Sequence, residues 1–174
     1  LDVDALAVPM AKGSTVDAAL DVRLGSLPSE LIDSGEFTGK AGACTLIHRV
    51  PESAVKRVFL IGLGEAPMAR HWFAAAGQAV RAAAKAKCRS VALLLPHDAC
   101  ARLAAEGAGF GQHRPSGYTE QKPWPVEEVV LLTTGDQAIA DAGRITAECV
   151  NLARELVEIP ANDLGPEEFA MRAA

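Results

Sequence analysis

The sequence is 174 residues long, 49% apolar and 22% charged, with a formal net charge of −5 at pH 7. That length and composition fit one globular domain whose core needs no disulfide or metal to fold. The negative balance opposes any nucleic-acid role that depends on overall attraction to phosphate, and no apolar run reaches the roughly 18 residues that span a membrane.

In chain order, strand-like apolar runs alternate with helical patterns, which predicts an α/β domain: a mixed sheet with helices on both faces. Residues 5–10 form a short buried strand. Val16, Ala19, Leu20 and Leu24 mark a helix, and residues 29–33, closed by Gly35, a second. Residues 43–50 read as a strand ended by Pro51, and residues 57–63 (RVFLIGL) as a central strand, apolar on both faces. Pro67 suits the first turn of a helix, which continues through Ala69, Trp72, Phe73, Ala76, Val80 and Ala83. Lys85, Lys87 and Arg89 crowd its far end, where cations complement the helix dipole.

Residues 90–95 form a second central strand, stopped by Pro96. Asp98 is expected to cap a helix carrying Cys100, Leu103, Ala104 and Ala108. Residues 107–125 hold so many Gly and Pro that they read as a long loop. Residues 126–133 return as a strand. The last long helix carries a stripe at Ala138, Ala142, Ile145, Cys149, Leu152, Leu156 and Ile159, with Arg144–Glu148 and Arg154–Glu158 as i,i+4 pairs. Pro160 ends it, residues 162–165 turn, and Pro166 opens one more helix.

Sites for chemistry are sparse. Gly62-Leu63-Gly64 follows a strand, but the third glycine of a dinucleotide fingerprint would fall at Pro67, which favours a tight turn over a phosphate cradle. His97, Asp98 and Cys100 sit on neighbouring positions that face different ways, and His48, His71 and His113 lie far off in sequence. The basic run Arg81, Lys85, Lys87 and Arg89 has no aromatic interleaving and reads as a solvated face. Glu127–Glu128 and Glu167–Glu168 are adjacent and diverge, and Ser116 lacks a G-x-S-x-G setting. Cys44, Cys88, Cys100 and Cys149 have no C-x-x-C spacing and read as reduced thiols. No catalytic, cofactor-binding or metal-ligating residue is assigned. The start, Leu1-Asp2-Val3-Asp4, has no signal-peptide character, and both ends read as cuts in a longer cytoplasmic protein.

Three segments resemble the leucyl (cytosol) aminopeptidase family. They are residues 35–42 (GEFTGKAG) with the strand to His48, residues 56–64 (KRVFLIGLG) with the alanine-rich helix and SVALLLP, and residues 151–164 (NLARELVEIPANDL) followed by Gly165-Pro166-Glu167-Glu168. The order is the family's and the matches cover essentially the whole chain. The resemblance implies a macro-domain-like amino-terminal domain over residues 1–150. Residues 151–174 would then be the end of an interdomain helix and the truncated start of the catalytic domain.

By the same resemblance, the parent removes amino-terminal residues from peptides, assembles as a hexamer and holds two divalent ions, zinc or manganese, in its carboxy-terminal domain. The present chain would be the non-catalytic domain, shaping assembly and access to the active site. The alternative is a stand-alone module binding ADP-ribose or another nucleotide. Tyr118, Lys122 and Trp124 are what remains of a tyrosine- and lysine-rich segment of the family. For the last long helix, the first half is expected on the sheet against Val130 and Leu132. Leu152, Leu156 and Ile159 are expected to face the catalytic domain. In the chain alone, residues 150–174 would be poorly ordered or lie against another copy.

Overall fold

Strand pairing places β3 (Arg57–Gly64) beside β1 (Ala5–Ala11), then β4 (Ser90–Leu94) and β5 (Glu128–Leu132), all parallel, with β2 (Cys44–Ile47) antiparallel on the outer side of β3. The computed structural model describes residues 2–48, 55–97, 100–114, 125–160 and 162–173. Both strands expected to be central are interior, and neither lies at an edge; β1 runs between them. The period of two sorts their side chains to two faces. Ala5, Ala7, Phe59, Ile61, Val91 and Leu93 point to one core, and Leu6, Val8, Val58, Leu60 and Ala92 to the other. Phe59, Leu60 and Ile61 are at most 1% exposed, and burying each contributes about 1.5–3 kcal/mol.

Helices cover both faces, unequally. The first core is closed by α3 (Ala69–Lys85) and α4 (Ala101–Gln112), the second by the short α1 (Ala18–Arg23) and α2 (Leu27–Asp33) with Phe37. Asp17 caps α1 by accepting the Ala19 and Leu20 N–H groups. Two boundary expectations are corrected. Pro67 lies outside α3, whose N-cap is Met68; His71 Nδ1 accepts the Met68 N–H at 2.9 Å. Cys100 is the N-cap of α4, and Asp98 lies outside the described residues.

The glycine-rich stretch is the larger correction, because residues 107–112 are helix rather than loop. Gly107 is there for proximity: a Cβ on it would stand 2.0 Å from the Phe73 carbonyl oxygen of α3. Small residues let two helix backbones approach, and that gain offsets glycine's poor helix propensity. Residues 115–124 of the expected loop lie outside the described residues, as do residues 49 and 50 at the end of the expected strand 43–50.

Helix α5 (Gln137–Glu158) follows, capped by Asp136, which accepts the Ala138 N–H at 2.9 Å. It stacks on α4 and not on the sheet. Gly143 and Ala147 are its buried residues, and Cβ atoms added to Gly143 or Gly109 would meet Arg102 O at 2.0 Å and Ala147 Cβ at 2.5 Å. Val130 and Leu132, the expected sheet partners, belong to the opposite core. Of the two expected helix pairs, Arg144–Glu148 forms at 2.6 Å. Arg154 instead lies over the Phe110 ring of α4 (4.3 Å), and Glu158 faces His113. Residues 150–158 continue α5, and Pro166–Ala173 form α6, the further helix expected after Pro160.

Candidate functional site

In open α/β sheets ligands bind beyond the C-terminal ends of parallel strands. Here that ground is taken by the chain's own backbone. A Cβ on Gly62 would stand 2.0 Å from Lys40 O, and Gly64 holds φ +87, a conformation suited to glycine. The Gly62 N–H donates to Ala43 O (2.8 Å) and the Gly64 N–H to Gly39 O (2.9 Å). Gly42 donates back to Gly62 O at 3.0 Å. The two glycine N–H groups that a phosphate would need are therefore already engaged, and the Gly-x-Gly is a tight turn. Lys12, at the end of β1, is ion-paired with Glu65. A cleft of about 270 Å³ lies beside Lys12, Ser14, Phe37 and Thr38, and Ser14 Oγ donates to Ala11 O (2.8 Å), so no base activates it.

At the end of β4, Cys100 Sγ sits 3.4 Å from His97 Nδ1, with the Trp72 ring edge-on to the imidazole. Burial pushes the Cys100 thiol up, away from the thiolate that catalysis or metal binding requires. Among the described residues no group of three or more His, Cys, Asp or Glu side chains is placed to hold a metal ion. His48, His71 and His113 stay apart, on the β2 edge, at the start of α3 and after α4. Ser116 lies outside the described residues.

One carboxylate of each adjacent acidic pair has a structural partner. Glu127 meets Arg89 at 2.7 Å, and Glu168 meets Arg172 at 2.6 Å. At the opposite end of the sheet, Asp4 joins three strands: its carboxylate accepts Lys56 Nζ (2.9 Å) and the Arg89 N–H (2.8 Å), while its own N–H donates to Ser90 Oγ (2.9 Å). The Lys56 ammonium and the Arg89 N–H hold the Asp4 carboxyl below its usual range. Arg81, Lys85 and Lys87 have no ion-pair partner among the described residues and line one groove with β2.

The strongest candidate surface is α5. Ala138, Ala142, Ile145, Cys149 and Leu152 are exposed, and Leu156 and Ile159 are half-buried, so no position of the apolar stripe is buried. At 100° per residue the stripe lies on the side of the helix opposite Gly143 and Ala147, which face α4. Leu152, Leu156 and Ile159 are not buried within the chain, and the expectation that the first half packs on the sheet is not met. Small residues seat the helix, and its large apolar residues point outward. A groove of about 650 Å³ between α4, α5 and β5, floored by Ala108, Val129 and Leu131, results from the same placement. Sequence reasoning missed this groove; the run of small residues at Gly143 and Ala147 was the available signal.

Residues 7–122 match the family profile described as Cytosol aminopeptidase family, N-terminal domain. A probable cytosol aminopeptidase of Thermosynechococcus vestitus is 34% identical over 173 residues, which is 88% of this chain and 34% of the relative. Among solved structures, the bottromycin maturation enzyme BotP in complex with Mn superposes with a TM-score of 0.76 at 28% identity, covering 97% of this chain and 35% of that one. A tomato leucine aminopeptidase mutant superposes with a TM-score of 0.82 at 24% identity, over 99% of this chain and 39% of the other, which is a likeness of fold. The chain spans about a third of the length of the curated relatives it matches.

Proposed function

The chain belongs to the cytosol aminopeptidase family, through that family's N-terminal domain, and we propose that it serves as the non-catalytic domain of a metal-dependent aminopeptidase, with the α5 stripe as its seat for the catalytic domain. In this reading residues 1–150 are the N-terminal, macro-like domain. Residues 151–174 carry the chain into the catalytic domain, although α5 itself runs unbroken through residue 150. The parent acts in the cytoplasm, removes amino-terminal residues from peptides and assembles as a hexamer. Two divalent ions, zinc or manganese, belong to its catalytic domain; when bound they supply a Lewis acid and an activated water. No described residue of this chain is placed to hold them.

The observation that carries this reading is the unburied stripe. Ile145 is 52% and Leu152 42% exposed on a helix whose opposite side buries Gly143 and Ala147 against α4. Contiguous apolar surface of this kind marks an interface. Cys149 lies on the stripe and reports on it directly. A maleimide should label Cys149 quickly in this chain and slowly once the catalytic domain is joined to it, with site-resolved mass spectrometry as the readout. Equal labelling in both would refute the seat. Against a stand-alone nucleotide module stand the family membership and the engaged N–H groups of Gly62 and Gly64.

A further inference from the structure

We propose that the groove between β2 and α3 is a docking site for an extended acidic peptide, which adds as a strand to the open edge of β2. The groove measures about 680 Å³. Its floor is apolar, made by Leu46, Phe59, Ala82 and Ala86. Its rim is basic: Arg57, Arg81, Lys85, Lys87 and His48 line it, and among the described residues no carboxylate does. On a chain with a formal net charge of −5, that concentration of one sign is local. Arg81, Lys85 and Lys87 form no ion pair among the described residues, so their charge is available to a partner.

The edge itself is open. β2 is the outer strand of the sheet, and among the described residues its backbone bonds only to β3. Edge strands are ordinarily guarded by a charge or a proline, yet Cys44, Thr45, Leu46 and Ile47 include neither. Its four residues offer a ladder of about 13 Å at 3.3 Å per residue. An added strand would lie about 4.8 Å away, with alternate side chains turned toward α3. There an acidic residue meets Arg81 or Lys85, one turn apart on the same helix face. Main-chain pairing supplies the affinity, and the basic rim selects the charge.

A nucleic acid fits less well. Single strands need exposed aromatic faces on which bases stack, and the lining aromatic, Phe59, is 1% exposed.

The test is fluorescence anisotropy on the 174-residue chain. The probes are a labelled octapeptide of alternating Glu and Val, its Lys–Val counterpart, and a labelled oligothymidylate. The acidic peptide should bind and the basic one should not. Replacing Arg81→Glu and Lys85→Glu together should weaken binding about tenfold or more. The pair Arg23→Glu and Arg70→Glu, exposed and remote, makes the same change in net charge and should leave it unaltered. All four side chains are exposed, so folding is retained, and thermal melts check it. On the unsubstituted chain, hydrogen exchange at residues 44–47 should slow when the peptide is bound. Equal affinity for both peptides, no loss in the groove variant, or no protection of β2 overturns the proposal. So does an oligothymidylate that binds more tightly than the acidic peptide and is lost with the same variant.

Discussion

Gly107 and Asp4 show how single side chains hold the layers together. A methyl group on Gly107 would enter the Phe73 carbonyl at 2.0 Å, and backbone cannot retreat as a flexible side chain can. Gly107→Ala should therefore cost about 2–3 kcal/mol in denaturant unfolding, near the upper end for overpacking. Gly165→Ala, where nothing lies within 4 Å, should change stability by less than about 1 kcal/mol. Asp4 ties β1 to Lys56, Arg89 and Ser90. Its folded carboxyl is depressed, so its contribution is present above the unfolded value of about 3.9 and lost as pH falls through the folded one. Asp4→Asn should cost about 1 kcal/mol or less at neutral pH, given solvent screening, and the variant and the original chain should converge as the pH falls below about 4. Urea titrations across that range measure the difference.

Helix α5 has two faces with different tasks. Ala147 is 1% exposed and sits against Gly109, so Ala147→Leu should push α5 off α4 and destabilise the chain by about 2 kcal/mol. Leu152 is 42% exposed on the other face, so Leu152→Gln in this chain should stay within about 0.5 kcal/mol. Calorimetric melting of the two variants decides it. If Leu152→Gln were the more damaging change, the stripe would be packed at home. Sequence periodicity located this stripe residue by residue. It could not assign the packing face, because an apolar stripe shows where apolar side chains lie and not what covers them.

Across the whole molecule, the described residues form two cores on one sheet and no cluster fit for a metal ion. Chelation should therefore leave the melting temperature within about 1 °C, since a ligand that binds only the folded state would have raised it by mass action. The chain alone should also release no product from a leucine anilide in the presence of zinc or manganese, because among the described residues no cluster is placed to hold a metal ion and its water. Metal-dependent turnover that persists through purification and tracks the chain would contradict both statements.

The sequence by itself determined the parts whose cause is local or periodic. Runs apolar on both faces specified the interior strands 57–63 and 90–95. Three segments carried the family likeness, and Pro160 marked the end of the last long helix, where its ring disfavours helical geometry in the residue before it. Only the tertiary structure decided whether Gly107, Gly109 and Gly111 broke a helix or packed one, since propensity disfavours glycine while helix proximity demands it. It alone joined Cys44–Ile47 to the basic side of α3, more than thirty residues away, and turned α5 by its small residues. Close packing is settled by which surfaces fit once the chain has folded back on itself, and no local pattern records that fit.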